Sequence, residues 1–311
     1  MSIITEGMKH RERIVKHAIK VNNNALTARK YHTSRQYVQR WRKRYDGTIE
    51  SLRKKSTRPK SHPNQHTQTE LELIKYNYRY HRHRGLAHVY RKCRDKGYTR
   101  SYDSMCRQIR KMNLKPPSKK KKRRIKKKDK PNYSYPGELV QIDVKYVPIH
   151  SIGFASNHKR YYQITAIDAY SRTRVLDLMN ENSTYTTSEF LIDLEKRMGF
   201  KIDKVQTDNG KEFTNDSYET DKKSRFQTVL EFLGISYKTT APYSPWQNGL
   251  VERRSHREDE ERFYSRRRFS SEEELRKALA RYNTSYNNTY RKVLNFKSPD
   301  EVVNDYFAKV A

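Results

Sequence analysis

LVQIDVKYV, residues 139–147, reads as a β-strand with an acid set into it. Leu139, Ile142, Val144 and Val147 give it strand character, and Asp143 stands between two of them. A carboxylate in such a run is costly to bury unless it is paired or ligated, so this strand is expected to hold a functional group. Strand patterning continues over 161–167 and 172–178, joined by the turn Asp168-Ala169-Tyr170-Ser171, which makes an antiparallel meander. A helix carrying Phe190, Leu191, Leu194 and Met198 follows, closed by Gly199. Next come a short strand over 204–207, a helix over 226–233 closed by Gly234, and a strand over 235–239. Strands first, then helices and strands in alternation, predict an α/β core with a mixed five-stranded sheet flanked by helices.

Two further acids fall where such a sheet could gather them. Asp208 ends the 204–207 strand, and Glu252 opens a helix in Asn248-Gly249-Leu250-Val251-Glu252-Arg253, reached through the turn Ala241-Pro242-Tyr243-Ser244-Pro245. Three hard oxygen donors suit Mg2+, and two such ions would serve phosphodiester displacement without a covalent enzyme intermediate. Neighbouring acids read more plainly. Asp168, followed by Ser171 and Arg172, ties a turn. Glu212 and Glu231 lack the helix-opening context of Glu252, and Glu258, Asp259, Glu260 and Glu261 read as solvated helix charges. Asn209, Gly210, Asn248 and Gly249 shape the turns that present the acids. His256, four residues after Glu252, shares its helical face and either touches DNA or is simply exposed. Lys211, Arg253 and Arg257 are candidate phosphate contacts.

The chain as a whole is strongly basic. Lys and Arg total 68 against 35 Asp and Glu in 311 residues, a formal charge of +33 that calls for a polyanionic partner. Residues 12–45 show helix-turn-helix spacing, with Ser34 as an N-cap. Val38, Trp41 and Tyr45 turn inward, and Arg35, Gln36, Gln39, Arg40 and Lys43 are left for DNA. A second helical block over 69–114 ends in a helix carrying Arg107, Arg110 and Lys111, which serves either as a second reading element or as scaffold. The stretch KKKKRRIKKKDK over 119–130 is a basic tether. The chain divides as 1–50 helix-turn-helix, 51–66 linker, 67–115 second helix-turn-helix or winged-helix-like block, 116–133 basic linker, 134–267 catalytic core and 268–311 carboxyl-terminal helical segment.

The sequence speaks against several functions. Cys93 and Cys106 are too few and too far apart for a disulfide framework, and with His81 and His83 they lack the close cysteine pair of a structural zinc site. Neither GxGxxG nor GxxxxGK[ST] occurs, so no nucleotide cofactor is expected. No apolar run reaches membrane-spanning length, and a cytoplasmic, nucleoid-associated protein is expected.

IDVKY around Asp143, QTDNGKEF around Asp208 and APYSPWQNGLVERRSHR around Glu252 resemble, in order, the three carboxylate motifs of insertion-sequence transposases with a retroviral-integrase-like core. The helix-turn-helix blocks and the closing segment from Tyr282-Asn283 to Lys297-Ser298-Pro299 extend the resemblance over nearly the whole chain. It implies a ribonuclease-H-like core dependent on Mg2+ or Mn2+, two ions, held by Asp143, Asp208 and Glu252. It also implies double-stranded DNA partners, both element ends and target, cleavage and strand transfer by a 3′-hydroxyl, and a homo-oligomer on DNA. The 43 residues between Asp208 and Glu252 exceed the interval of compact members, and 215–225 is expected to be an inserted surface loop. Two other readings remain open here: a DNA-binding repressor or domesticated, catalytically silent remnant, and a ribonuclease-H-like nuclease or junction resolvase.

Overall fold

The structure, a computed structural model, describes residues 4–57, 59, 62–115, 132–154, 160–215, 222–241, 244, 247–265 and 267–310. The basic tether over 119–130 and most of the expected insertion lie outside them. The chain forms two compact units, 1–65 and 66–311. Among the described residues no helix is long and apolar enough to cross a membrane.

In the first unit, α1 (Glu6–Val21), α2 (Asn24–Lys30) and α3 (Arg35–Arg44) pack around Ile14, Val15, Ala18, Val38 and Trp41. The Ser34 hydroxyl accepts the Tyr37 N–H at 3.1 Å and so caps α3. Tyr45 ends the helix and packs beside Trp41 and Leu52.

The second unit begins with α4 (Gln68–His81), α5 (Leu86–Asp95) and α6 (Tyr102–Lys111), built around Ile74, Val89, Cys93, Met105 and Ile109. Both cysteines are buried and free. This block holds the segment after residue 287. His88 stacks on Tyr290 with ring centres 4.9 Å apart and accepts its N–H at 3.3 Å, while Phe296 sits against Tyr90 and Tyr102 at 4.7 and 5.2 Å.

The core sheet consists of β1 (Val140–Tyr146), β2 (Tyr162–Asp168), β3 (Arg174–Met179), β4 (Lys204–Thr207) and β5 (Ser236–Thr239), in the order β3-β2-β1-β4-β5. The β1-β2 and β2-β3 pairs are antiparallel, and β1-β4 and β4-β5 are parallel. The helix expected through 198 is broken at Asp193 into α7 (Thr184–Ile192) and α8 (Leu194–Met198), and α9 is Arg225–Phe232. Gly199 and Gly234, at φ +80° and +71°, follow α8 and α9 in the left-handed conformation that glycine adopts without steric cost.

Strand side chains alternate between faces, and here the alternation separates apolar from polar. Val140, Ile142, Ile164, Ala166 and Val175 point into a core closed by Phe190, Leu191, Leu194, Phe226 and Leu230. The other face carries Gln141, Asp143, Lys145, Gln163, Thr165 and Arg174. It is covered by α10, a continuous helical run over 250–264, and by α11 (Glu272–Asn287). The run is π-helical over Leu250–His256 and Glu260–Tyr264, with one α-helical turn between. Residues Pro299–Val310 form α12.

Candidate active site

Sheet register brings the first two acids together. Gln141 of β1 pairs with Gln206 of β4 in parallel register. Continued two residues further, that register sets Asp143 level with Asp208, the residue immediately after β4. The same two glutamines fix the approach to the third acid, because both side-chain amides donate to the Gln247 carbonyl, at 2.6 and 3.0 Å. Gln141 Oε1 accepts the Leu250 N–H at 3.2 Å, and the Asn248 amide donates to the Ile142 carbonyl at 3.2 Å. The Asn248 carbonyl then accepts the N–H groups of Val251 and Glu252, starting α10 where the motif sets Glu252.

Asp143 is 6% exposed. Burial, then the negative charges of Asp208 and Glu252, push its carboxyl up to about 8. Asp208 and Glu252 are therefore each within electrostatic reach of Asp143. Asp208 Oδ1 accepts the Gly210 N–H at 3.0 Å, which shapes the turn beyond β4. Glu212 folds back over this turn, so that a Cβ on Gly210 would lie 2.6–2.8 Å from its carboxylate atoms. Burial raises Glu212, and its charge reaches Asp143 and Asp208. A fourth carboxylate thus borders the cluster. Glu231, the other rival by sequence, is exposed and paired with Lys223.

His256 Nδ1 lies 3.4 Å from Asp143 Oδ2. Burial, followed by the Lys145 charge, lowers the imidazole to about 4, so it is neutral near pH 7 beside a largely protonated Asp143. The contact is then a neutral one and not an ion pair. Its Nε2 is buried without a hydrogen-bond partner among the described residues. Lys145 donates to the His256 carbonyl at 3.5 Å and lies over the Tyr264 ring.

Asp143, Asp208 and Glu252 match a hard divalent cation in chemistry, since all are oxygen donors and the crowding that raises Asp143 is what a cation would relieve. Among the described residues no three His, Cys, Asp or Glu side chains converge tightly enough to grip an ion as they stand. The cluster is an open one.

Of the candidate DNA contacts, Arg35, Gln36, Gln39, Arg40 and Lys43 lie exposed along α3, and Arg107 and Arg110 lie exposed on α6. Lys211 is exposed beside Asp208, and Arg257 is exposed and 3.6 Å from Glu261. The Arg253 and Arg254 side chains lie outside the described residues.

Asp168 ties its turn, accepting Ser171 N–H and O–H at 2.6 Å each and Gly137 N–H at 3.0 Å. Asp259 is a correction. It is not a solvated helix charge but fully buried, ion-paired with Arg174 at 2.7 Å, because the polar face of the sheet lies directly beneath it.

A mixed five-stranded sheet with one acid on the central strand, a second just past the end of its parallel neighbour and a third on the covering helix is the arrangement of a ribonuclease-H-like core. Residues 134–245 match the integrase core domain family, 233–292 match a second integrase core domain model, and 10–60 match a helix-turn-helix domain. The chain thus carries matches to an integrase core domain, preceded in sequence by a match to a helix-turn-helix domain. It is 30% identical over 175 residues to the ORF3 protein of Spiroplasma virus SpV1-C74, which bears the name of an integrase. That match takes in 53% of this chain and about half, 47%, of the viral protein. Among solved structures, the catalytic core domain of BIV integrase is 20% identical, with TM-score 0.40, covering 56% of this chain and 97% of that one. A simian T-cell lymphotropic virus intasome in complex with a PP2A regulatory subunit is 17% identical, with TM-score 0.43, covering 73% of this chain and 72% of that one.

Proposed function

We propose that this protein is a DNA transposase that cuts at the ends of a mobile element and joins the exposed 3′-hydroxyl to target DNA. Asp143, Asp208 and Glu252 would hold divalent ions. The observation that supports the reading is Asp143 itself, a carboxyl buried in a strand and raised by that burial and then by the charges of Asp208 and Glu252. A protein that only binds DNA gains nothing from assembling acids where the phosphate backbone must approach, because they repel it.

Bound Mg2+ or Mn2+, as a pair, would supply Lewis-acid activation and neutralise charge at the leaving oxygen. The chain's own residues set the frame for that chemistry. Gln141 and Gln206 hold the 247–250 segment over the strand ends, and Asp208 is braced by the Gly210 N–H. The exposed cations of α3, together with Arg107, Arg110, Lys211 and Arg257, supply phosphate contacts that carry affinity without reading sequence. Two element ends must be brought to one target, so a homo-oligomer on DNA is part of the reading.

The test is incubation of the purified protein with Mg2+ and DNA carrying the element's terminal repeats. Wild type should cleave and join, and Asp208→Asn should do neither while binding the same DNA. Undiminished joining by Asp208→Asn would refute the assignment. Cleavage without joining would favour a nuclease.

A further inference from the structure

We infer that Arg174 and Asp259 form a buried clamp that fixes where the helix bearing Glu252 lies on the sheet, and so act as positioning residues for the carboxylate cluster. The inference rests on the proposed reading of Asp143, Asp208 and Glu252.

Neither side chain of the pair is exposed, and Arg174 Nη1 lies 2.7 Å from Asp259 Oδ1. The same Nη1 donates to Ser255 Oγ at 3.1 Å. Ser255 and Asp259 stand three and seven residues beyond Glu252 in one unbroken helical run. The second Asp259 oxygen accepts from Gln163 Nε2 at 2.8 Å, and Gln163 Oε1 accepts the Tyr264 hydroxyl at 2.7 Å. Helix α10 is thereby tied to β2 and β3 at three successive turns. From α11, Tyr286 and Tyr282 stack on the guanidinium at 3.8 and 4.7 Å, and Asn283 Oδ1 accepts from Nε at 3.3 Å. Asn287 accepts the Arg174 N–H and donates to its carbonyl, both at 2.9 Å.

A desolvated ion pair is a poor source of stability, because apolar residues of similar volume commonly do as well. It is a good source of register. Charge-assisted hydrogen bonds have narrow geometry, and sliding α10 by a residue would leave both charges buried and unpaired. The apolar contacts of Phe263 and Leu275, by contrast, are non-directional. The network also continues toward the acids: Gln163 Nε2 donates to Thr165 Oγ1 at 3.0 Å, and Thr165 is the cross-strand partner of Asp143. Between Ser255 and Asp259, His256 makes its contact with Asp143. Groups that anchor a metal-binding side chain without touching the ion commonly control affinity by about 10- to 100-fold.

The experiment measures Mn2+ binding to the full chain by calorimetry, with melting temperature and DNA joining alongside. Arg174→Met/Asp259→Leu should stay folded and bind DNA as wild type does, yet bind Mn2+ about 10- to 100-fold more weakly and join more slowly at saturating DNA. Ser255→Ala, which leaves the ion pair intact, should show a smaller loss in the same direction. A folded double variant with wild-type Mn2+ affinity overturns the clamp. If the double variant does not fold, unchanged Mn2+ affinity in Ser255→Ala overturns it. Glu252→Gln separates the two readings: if it binds Mn2+ like wild type, the assignment of the acids fails and the clamp with it. If it binds poorly while the double variant binds well, the clamp alone fails.

Discussion

Asp143→Asn should alter the pH dependence of stability in a way that only a crowded carboxyl can. Burial and the charges of Asp208 and Glu252 carry Asp143 from the usual carboxylate value of 3.8 to about 8. Because the folded-state value lies above the unfolded one, the associated stability is fully present below about pH 4 and is lost as pH rises through about 8. At about 1.4 kcal/mol per pH unit, the span from 3.8 to about 8 corresponds to about 6 kcal/mol in an unyielding site. Separation of the acids and entry of water should bring the measurable part to about 2–4 kcal/mol. Urea unfolding in a chelator at pH 5, 7 and 9 would expose it, because titrating groups outside the carboxylate cluster are common to both proteins and cancel in the comparison. Wild type should lose more stability than Asp143→Asn between pH 5 and 9. Mg2+ should shrink the wild-type loss, since the cation binds the deprotonated acids, and should do little for the variant. Parallel pH profiles in chelator would refute the idea that Asp143 is buried among like charges.

Asp168→Ala should lower the melting temperature of the core, at a cost of about 2–4 kcal/mol for the stranded N–H groups of Gly137 and Ser171, while joining per folded molecule is preserved. Loss of joining in well-folded protein would assign Asp168 to the active site after all. Ser34→Ala removes the cap of α3 and should destabilise the amino-terminal unit by about 1 kcal/mol, read as an earlier thermal transition. Arg40→Ala and Lys43→Ala should each flatten the log–log salt dependence of DNA binding by about 0.9, measured by anisotropy; an unchanged slope in both would remove α3 from the interface.

Much of this is readable in the chain because Asp143 interrupts a period-two apolar strand and Asp208 falls where a strand meets its turn residues. Asp143 stood out as an acid between Ile142 and Val144, and Asp208 as the end of a strand. The strand limits came within two residues, with β3 starting at Arg174 instead of 172. The polar layer beneath α10 was harder to see. Period two put Gln141, Asp143 and Lys145 on one face, but nothing local said that this face would be covered. A signal was present all the same: Gln-x-Asp occurs at both Gln141-Ile142-Asp143 and Gln206-Thr207-Asp208, and adjacent parallel strands align the two glutamines as they align the two acids. Asp259 was misread because it sits in an acidic run, where composition suggests solvent. Its burial depends on Arg174, 85 residues earlier, a partner that only the tertiary fold supplies.

The clasp between the 68–111 helices and the segment after residue 287 bears on how the chain is made. His88 and Tyr290 are 202 residues apart, so the ring that completes the face of α5 leaves the ribosome long after the helix itself. Until then Tyr90 and Tyr102 lack the Phe296 ring that covers them, and closing so long a loop is slow relative to forming the local helices. A chain cut short between α10 and residue 287 would keep every acid of the site and still present that aromatic face to solvent. Such fragments should be sticky, and the finished protein should owe its solubility in part to residues translated late.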